Sequence, residues 1–191
     1  MAQSSQTISG QKTFKSAITV SEGCSFRVSD NRISTSSTSL ADLAVRDLIT
    51  ITGTTNNNAT FTVKTVDTNG TYVIVEEAVT AETADGSTDT VLTYSGFVTD
   101  KYKGDGYYSQ ADGIHTVSYH VNTTCTGAIK MQGSLATTPT EDDWFDITGT
   151  TFTTDLSTTI SSNNFTGNFV WVRAKCTSNT AGSVTKILYN N

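Results

Sequence analysis

The chain has 191 residues, 36% of them hydrophobic and 16% charged, with a formal net charge of −6 and a sequence pI near 4.7. That length gives room for one large domain or two small ones plus an arm, and a core that needs no staples. The acidic balance speaks against wrapping nucleic acid, which requires a basic stripe, and against an anionic membrane surface; no apolar run approaches the roughly 20 residues of a membrane span.

Threonine is the commonest residue, with Ser, Gly and Asn supplying much of the rest. A β-branched residue that is stiff at χ1 suits a pleated, half-wet surface better than a helix. Residues 1–5 carry neither a basic region nor an apolar stretch, so no secretory signal is expected. The N-x-Thr sequons at Asn58, Asn69, Asn122 and Asn164 are then expected to stay unmodified.

In chain order, residues 1–33 read as an extended arm whose sparse apolar positions, Ile8, Phe14, Ile18 and Val20, make no core alone. They must dock on the body or on another subunit, so these four are the candidate assembly residues. Residues 33–38 read as a flexible linker, which completes an arm-and-linker segment over 1–38. The one helical candidate is a turn or two at residues 39–44.

Residues 39–96 read as a small β-barrel or meander. Leu48, Ile49 and Ile51 open a strand ended by Gly53. Asn56, Asn57 and Asn58 form a turn in which Asn tolerates positive φ. Phe61, Val63 and Val66 lie on the next strand, ended by Asp67 to Gly70, and Tyr72 to Val75 make a third. An acidic stretch over residues 76–89 leads into Val91, Leu92, Thr93 and Tyr94.

Residues 97–191 read as a C-terminal antiparallel β-sandwich, jelly-roll-like. Val117, Tyr119 and Val121 alternate with Thr116, Ser118 and His120, the period of a half-buried strand. Ile129 and Met131 alternate likewise, and Trp144, Phe145 and Ile147 follow a Pro-containing loop. The run of residues 169–172 is apolar on both faces, as in a central strand. Val184, Ile187, Leu188 and Tyr189 close the pattern.

Little in the chain suggests catalysis or a cofactor. His115 and His120 are five apart on one strand, hence on opposite faces, and cannot share a metal. The three cysteines, Cys24, Cys125 and Cys176, have no metal-knuckle spacing; buried thiols are expected, with a Cys125–Cys176 bridge as the alternative. Glu141, Asp142 and Asp143, and the carboxylates of residues 76–89, read as solvated loops without calcium-loop spacing. The aromatic-rich spot is Tyr102, Tyr107 and Tyr108, a candidate exposed contact for sugar or protein.

Three stretches carry a resemblance. TISGQKTFKSAITV at residues 7–20 resembles a T-I-S-G-x-K-T-F-x-S-x-I-x-V motif of phage tail and fibre proteins. DLITITGTTNNNATFTV at residues 47–63 resembles a D-x-I-x-I-x-G-x-x-N-N-x-x-x-F-x-V module of tailed-phage structural proteins. IHTVSYHV at 114–121, GAIKMQGSLATTP at 127–139, DWF at 143–145 and TGNFVWVRA at 166–174 look like virion proteins of marine cyanobacterial myophages.

The resemblance implies a non-enzymatic virion structural protein without cofactor, assembled in the host cytoplasm. A capsid-bound decoration or head-fibre protein, anchored by the arm to the major capsid protein and forming homo-oligomers, is the first expectation. A tail, neck, baseplate or tail-fibre component is the alternative, with host-surface glycan binding by the C-terminal domain. Deleting residues 1–33 is expected to leave a folded but assembly-defective protein.

Overall fold

The computed structural model describes residues 6–9, 12–13, 19–21, 23–36, 40–83, 90–108, 113–177 and 181–191, the first three segments as backbone only. The chain forms two compact units: residues 15–97, and residues 1–14 together with 98–191. Residues 1–14 group with residues 98–191, so the first 38 residues are shared between the units instead of forming one arm. Phe14 and Ile18 lie outside the described residues.

The strands run β1 (Gln6–Ser9), β2 (Lys12–Thr13), β3 (Thr19–Ser21), β4 (Ser25–Arg27), β5 (Arg32–Ser34), β6 (Asp47–Thr52), β7 (Thr60–Val66), β8 (Tyr72–Val75) and β9 (Val91–Val98). They continue as β10 (Tyr102–Lys103), β11 (Ile114–Val121), β12 (Ala128–Ser134), β13 (Phe145–Asp146), β14 (Phe152–Thr153), β15 (Ile160–Thr166), β16 (Trp171–Thr177) and β17 (Ser183–Asn190). The α-helical segment among the described residues is one turn, α1 (Asp105–Tyr108). The protein is therefore all-β, and every strand pair named below is antiparallel.

In the unit of residues 15–97, the meander β6–β7–β8 is extended by β5 and β4 on the β8 side and by β9 and β3 on the β6 side. The sheet is open, which settles the barrel-or-meander alternative for the meander. Leu48, Ile49, Ile51, Phe61, Val63, Val73, Val75 and Leu92 are its buried core.

Residues 33 and 34 are not linker but the end of β5: Ile33 is wholly buried and faces Phe26 and Val73 in register. A short stretch of Ser and Thr masked the one side chain that anchors it. Residues 40–43 form turns, not helix; Leu40 and Leu43 are buried, and the Leu40 amide donates to the carbonyl of Gly70.

The Asn loop also differs from expectation. Among the described residues, positive φ outside glycine occurs at Asn31, Arg46 and Leu156, not at residues 56–58. The Asn side chains work through hydrogen bonds instead. Asn57, 3% exposed, donates to the Thr80 carbonyl and the Glu82 carboxylate and accepts from the Thr80 amide at 2.8 Å. Glu82 accepts the amides of Thr55 and Asn56, while Glu77 accepts the amide and hydroxyl of Thr62. Part of the acidic stretch is thus a set of backbone clamps rather than a solvated run.

The other unit holds two antiparallel sheets in a sandwich-like arrangement. One is ordered β1–β17–β11–β15, with β2 also on β17; the second places β12 and β10 on either side of β16, with β13 and β14 on β12. Tyr119 of the first sheet stacks on Phe152 of the second at 6.4 Å and donates to the Thr150 carbonyl at 2.8 Å.

His115 and His120 face opposite ways, as alternation requires: His115 is buried, His120 half-buried. His115 Nε2 donates to the Gly167 carbonyl at 2.7 Å, which leaves Nδ1 to accept the Tyr189 hydroxyl at 2.8 Å. Its ring lies among Phe165, Phe169 and Tyr189. All three cysteines are buried thiols, with no bridge between Cys125 and Cys176.

Candidate functional site

The outward face of β12 and β16 gathers the chain's distinctive side chains. Trp171, Arg173 and Lys175 alternate with the inward Val172, Ala174 and Cys176 along β16. Opposite them in register stand Ser134, Gln132 and Lys130 of β12. Of residues 169–172, read as a central strand apolar on both faces, only Trp171 and Val172 lie in β16; Phe169 and Val170 precede it, and Trp171 faces outward. The Trp-x-Arg-x-Lys alternation was the available signal.

The tyrosine segment reaches this face through its glycines. A Cβ on Gly104 would collide with the Phe169 carbonyl, and one on Gly106 would lie 2.7 Å from the carbonyl oxygen of Asn168. With hydrogen at these positions, the amide of Gly104 reaches the Val170 carbonyl at 3.0 Å and that of Gly106 the Phe169 carbonyl at 2.9 Å. Close backbone approach of this kind is what glycine permits. The turn α1 then sets Tyr107 beside Trp171, ring centroids 5.1 Å apart and planes at 61°. Tyr108 follows at 5.3 Å and 73° from Tyr107.

Two ammonium groups complete the cluster. Lys103 Nζ lies 4.0 Å from the Tyr107 ring centre and 5.6 Å from that of Tyr108, and Lys101 Nζ is 4.7 Å from that of Trp171. Such cation–ring contacts stabilise by about 0.5–1 kcal/mol at exposed sites. Trp171 is held in place by its indole N–H, which donates to the Thr137 carbonyl at 3.0 Å.

Of the three tyrosines singled out in the sequence, the structure brings Tyr107 and Tyr108 together and leaves Tyr102 apart. Tyr102 pairs with the inward Val172 in β10, whereas its neighbour Lys103 pairs with Trp171. Partial burial, then the charge of Asp100, pushes the Tyr102 phenol above its ordinary range. Of the assembly residues, Ile8 lies in β1 on β17 and Val20 in β3 on β9.

Farther along the same face, Arg173 is 3% exposed and fully engaged. It donates to both Glu141 oxygens at 2.8 and 2.7 Å and to Gln132 at 2.9 Å, and its guanidinium covers Trp144 at 4.2 Å. Lys130 pairs with Asp146. The acidic triplet is therefore partly structural: Glu141 holds Arg173, and Asp143 closes a capping box with Thr140. Burial, then the positive charges of Arg173 and Lys130, lowers the Lys175 ammonium below the usual lysine range. No group of three or more His, Cys, Asp and Glu that could hold a metal occurs among the described residues.

Chemically, the Tyr–Trp–Lys cluster offers flat apolar faces, hydroxyl rims and positive charge at the surface, a binding set without a paired acid and base. No family model and no curated protein matches the sequence.

Proposed function

We propose that this chain is a structural, non-catalytic protein of a tailed-phage particle, bound to the capsid as a decoration or short head fibre through its N-terminal segment. Its partners are the major capsid protein and further copies of itself, and its C-terminal unit is a jelly-roll-like sandwich. The observation that carries this reading is where the phage-like stretches fall. Residues 47–63 make the β6–β7 hairpin, and residues 114–121, 127–139 and 166–174 supply β11, β12 and the start of β16. These stretches include strands that contribute to both cores, together with the turns between them.

The first phage-like stretch supports an anchoring role. It supplies β1 and β2, short strands added to β17, and β3 on β9. An added edge strand is the form in which one subunit lends backbone hydrogen bonds to another.

Quantitative mass spectrometry of purified particles of the encoding phage, compared with tail-less heads, tests the assignment. Capsid decoration requires the chain in tail-less heads at copies proportional to the capsid lattice. Low copy number matching tail symmetry, and loss from heads, transfers the protein to the tail, neck or baseplate. Absence from both removes it from the particle altogether.

A further inference from the structure

We propose that the surface built by Lys101, Lys103, Tyr107, Tyr108 and Trp171 binds an acidic polysaccharide, by stacking a sugar ring on the tyrosine faces and pairing its carboxylate with the two ammonium groups. This inference stands whether or not the particle assignment holds.

Tyr107 and Tyr108 are 44% and 47% exposed, although aromatic rings of this size bury readily. They are held open by a specific backbone: Gly104 and Gly106 seat the segment on the carbonyls of residues 169 and 170, and Asn191 Nδ2 donates to the Lys103 carbonyl at 3.2 Å. Trp171 is fixed through its indole N–H. Rings ordered before binding lose little freedom on contact, which favours affinity.

The ligand class follows from shape and charge. A pyranose ring has an apolar C–H face, a rim of hydroxyls, and in uronates one carboxylate. The cluster offers the complement of each. The lysine ammoniums now rest on ring faces. A carboxylate can take them in a charge-assisted hydrogen bond, stronger than a neutral one.

Nucleic acid fits less well. Successive bases stack on successive ring faces, whereas these planes meet at 61° and 73° and form a corner that holds few bases in series. A chain of net charge −6 also repels a densely charged phosphate polymer more than a spaced carboxylate one. An acidic peptide brings carboxylates but no flat C–H face to cover the tyrosines.

The test is calorimetric titration of the full chain with a defined galacturonate oligomer, alongside maltohexaose, dextran sulfate, oligo(dT) and polyglutamate. Saturable binding of oligogalacturonate, at least about tenfold tighter than maltohexaose, is expected. Tyr107→Ala with Tyr108→Ala should abolish it, and Lys101→Gln with Lys103→Gln should reduce it to the neutral-sugar level. Lys186→Gln, an exposed cation on β17 of the other sheet, should leave it unchanged. Thermal melting of each variant checks that the fold is intact.

No saturable binding overturns the proposal, as does equal affinity for maltohexaose. Equal binding of dextran sulfate, oligo(dT) or polyglutamate that survives loss of the tyrosines shows a generic polyanion contact and overturns it too. Variants that change sedimentation without touching sugar affinity make the patch a contact between copies, again against the proposal.

Discussion

Asn57 shows how much a loop residue can hold. Its side chain donates to Thr80 and Glu82 and accepts from the Thr80 amide, so it replaces a strand ladder where none exists. Asn57→Ala would leave a Thr80 backbone donor and acceptor without partners in a nearly closed site. The expected loss is about 1–3 kcal/mol, typical of an orphaned buried polar group. Urea denaturation checks it, and a midpoint equal to that of the parent would sink the account. Cys125 carries a second residue-scale expectation. Burial pushes its thiol from the ordinary value near 9.0 up to about 11. The fold thus favours the protonated thiol. The stability this contributes is whole below about pH 9 and is lost as pH rises toward 11. At pH 8.5, iodoacetamide should label Cys125 in urea but not in the native chain, read by peptide mapping. Stoichiometric native labelling would contradict the burial.

At the scale of elements, the first 38 residues decide what a truncation can teach. Removing residues 1–33 takes away β1 to β4 and most of β5, including Phe26 and Ile33, both buried in the unit of residues 15–97. That truncation should unfold the unit, contrary to the simple arm picture. Ile33→Ala alone should cost about 2–5 kcal/mol, the range for a buried large-to-small change. Circular dichroism melting distinguishes the cases: the 1–13 deletion should keep a cooperative transition, and the 1–33 deletion should broaden or lose it. A sharp transition in the longer deletion would show β4 and β5 to be dispensable. β7 and β12 were legible from their apolar residues, although Thr62 of β7 and residues 131–134 of β12 are buried without alternation, and β11 was legible because its alternation gives it one core face. β15 was not. In Ile-Ser-Ser-Asn-Asn-Phe-Thr only Phe165 is buried, and the strand exists because it pairs with β11 along seven register positions. The tyrosine patch was half legible: the composition of residues 101–108 flagged it, but Trp171 joins through register and not through proximity in sequence.

At the scale of the whole molecule, the sequence suggested an arm followed by two successive domains, whereas the chain starts and ends in the same unit. Local periodicity carries no information on that, because Gln6 pairs with Tyr189 and Lys12 with Val184 across nearly the whole chain. The unit of residues 15–97 is in effect an insertion between the second and later strands of the other. A direct consequence follows for residues 98–191 produced alone. β17 then keeps β11 on one side and exposes its other edge, with Ile187 to Tyr189 on it. An uncovered edge strand invites pairing with another chain. The fragment should therefore self-associate, and a peptide of residues 1–14 added in trans should return it to a monomer with a higher melting temperature, followed by sedimentation velocity and thermal denaturation. The same peptide with Thr7→Pro should fail, because proline removes a backbone donor from a strand that pairs at that position with Leu188. A fragment that stays monomeric and is indifferent to the peptide would mean that β1 and β2 are not needed to close the edge. Rescue in trans would instead give the N-terminal segment the property that anchoring to a neighbouring subunit requires, since a strand that can be supplied by a separate chain can equally be supplied by the next copy.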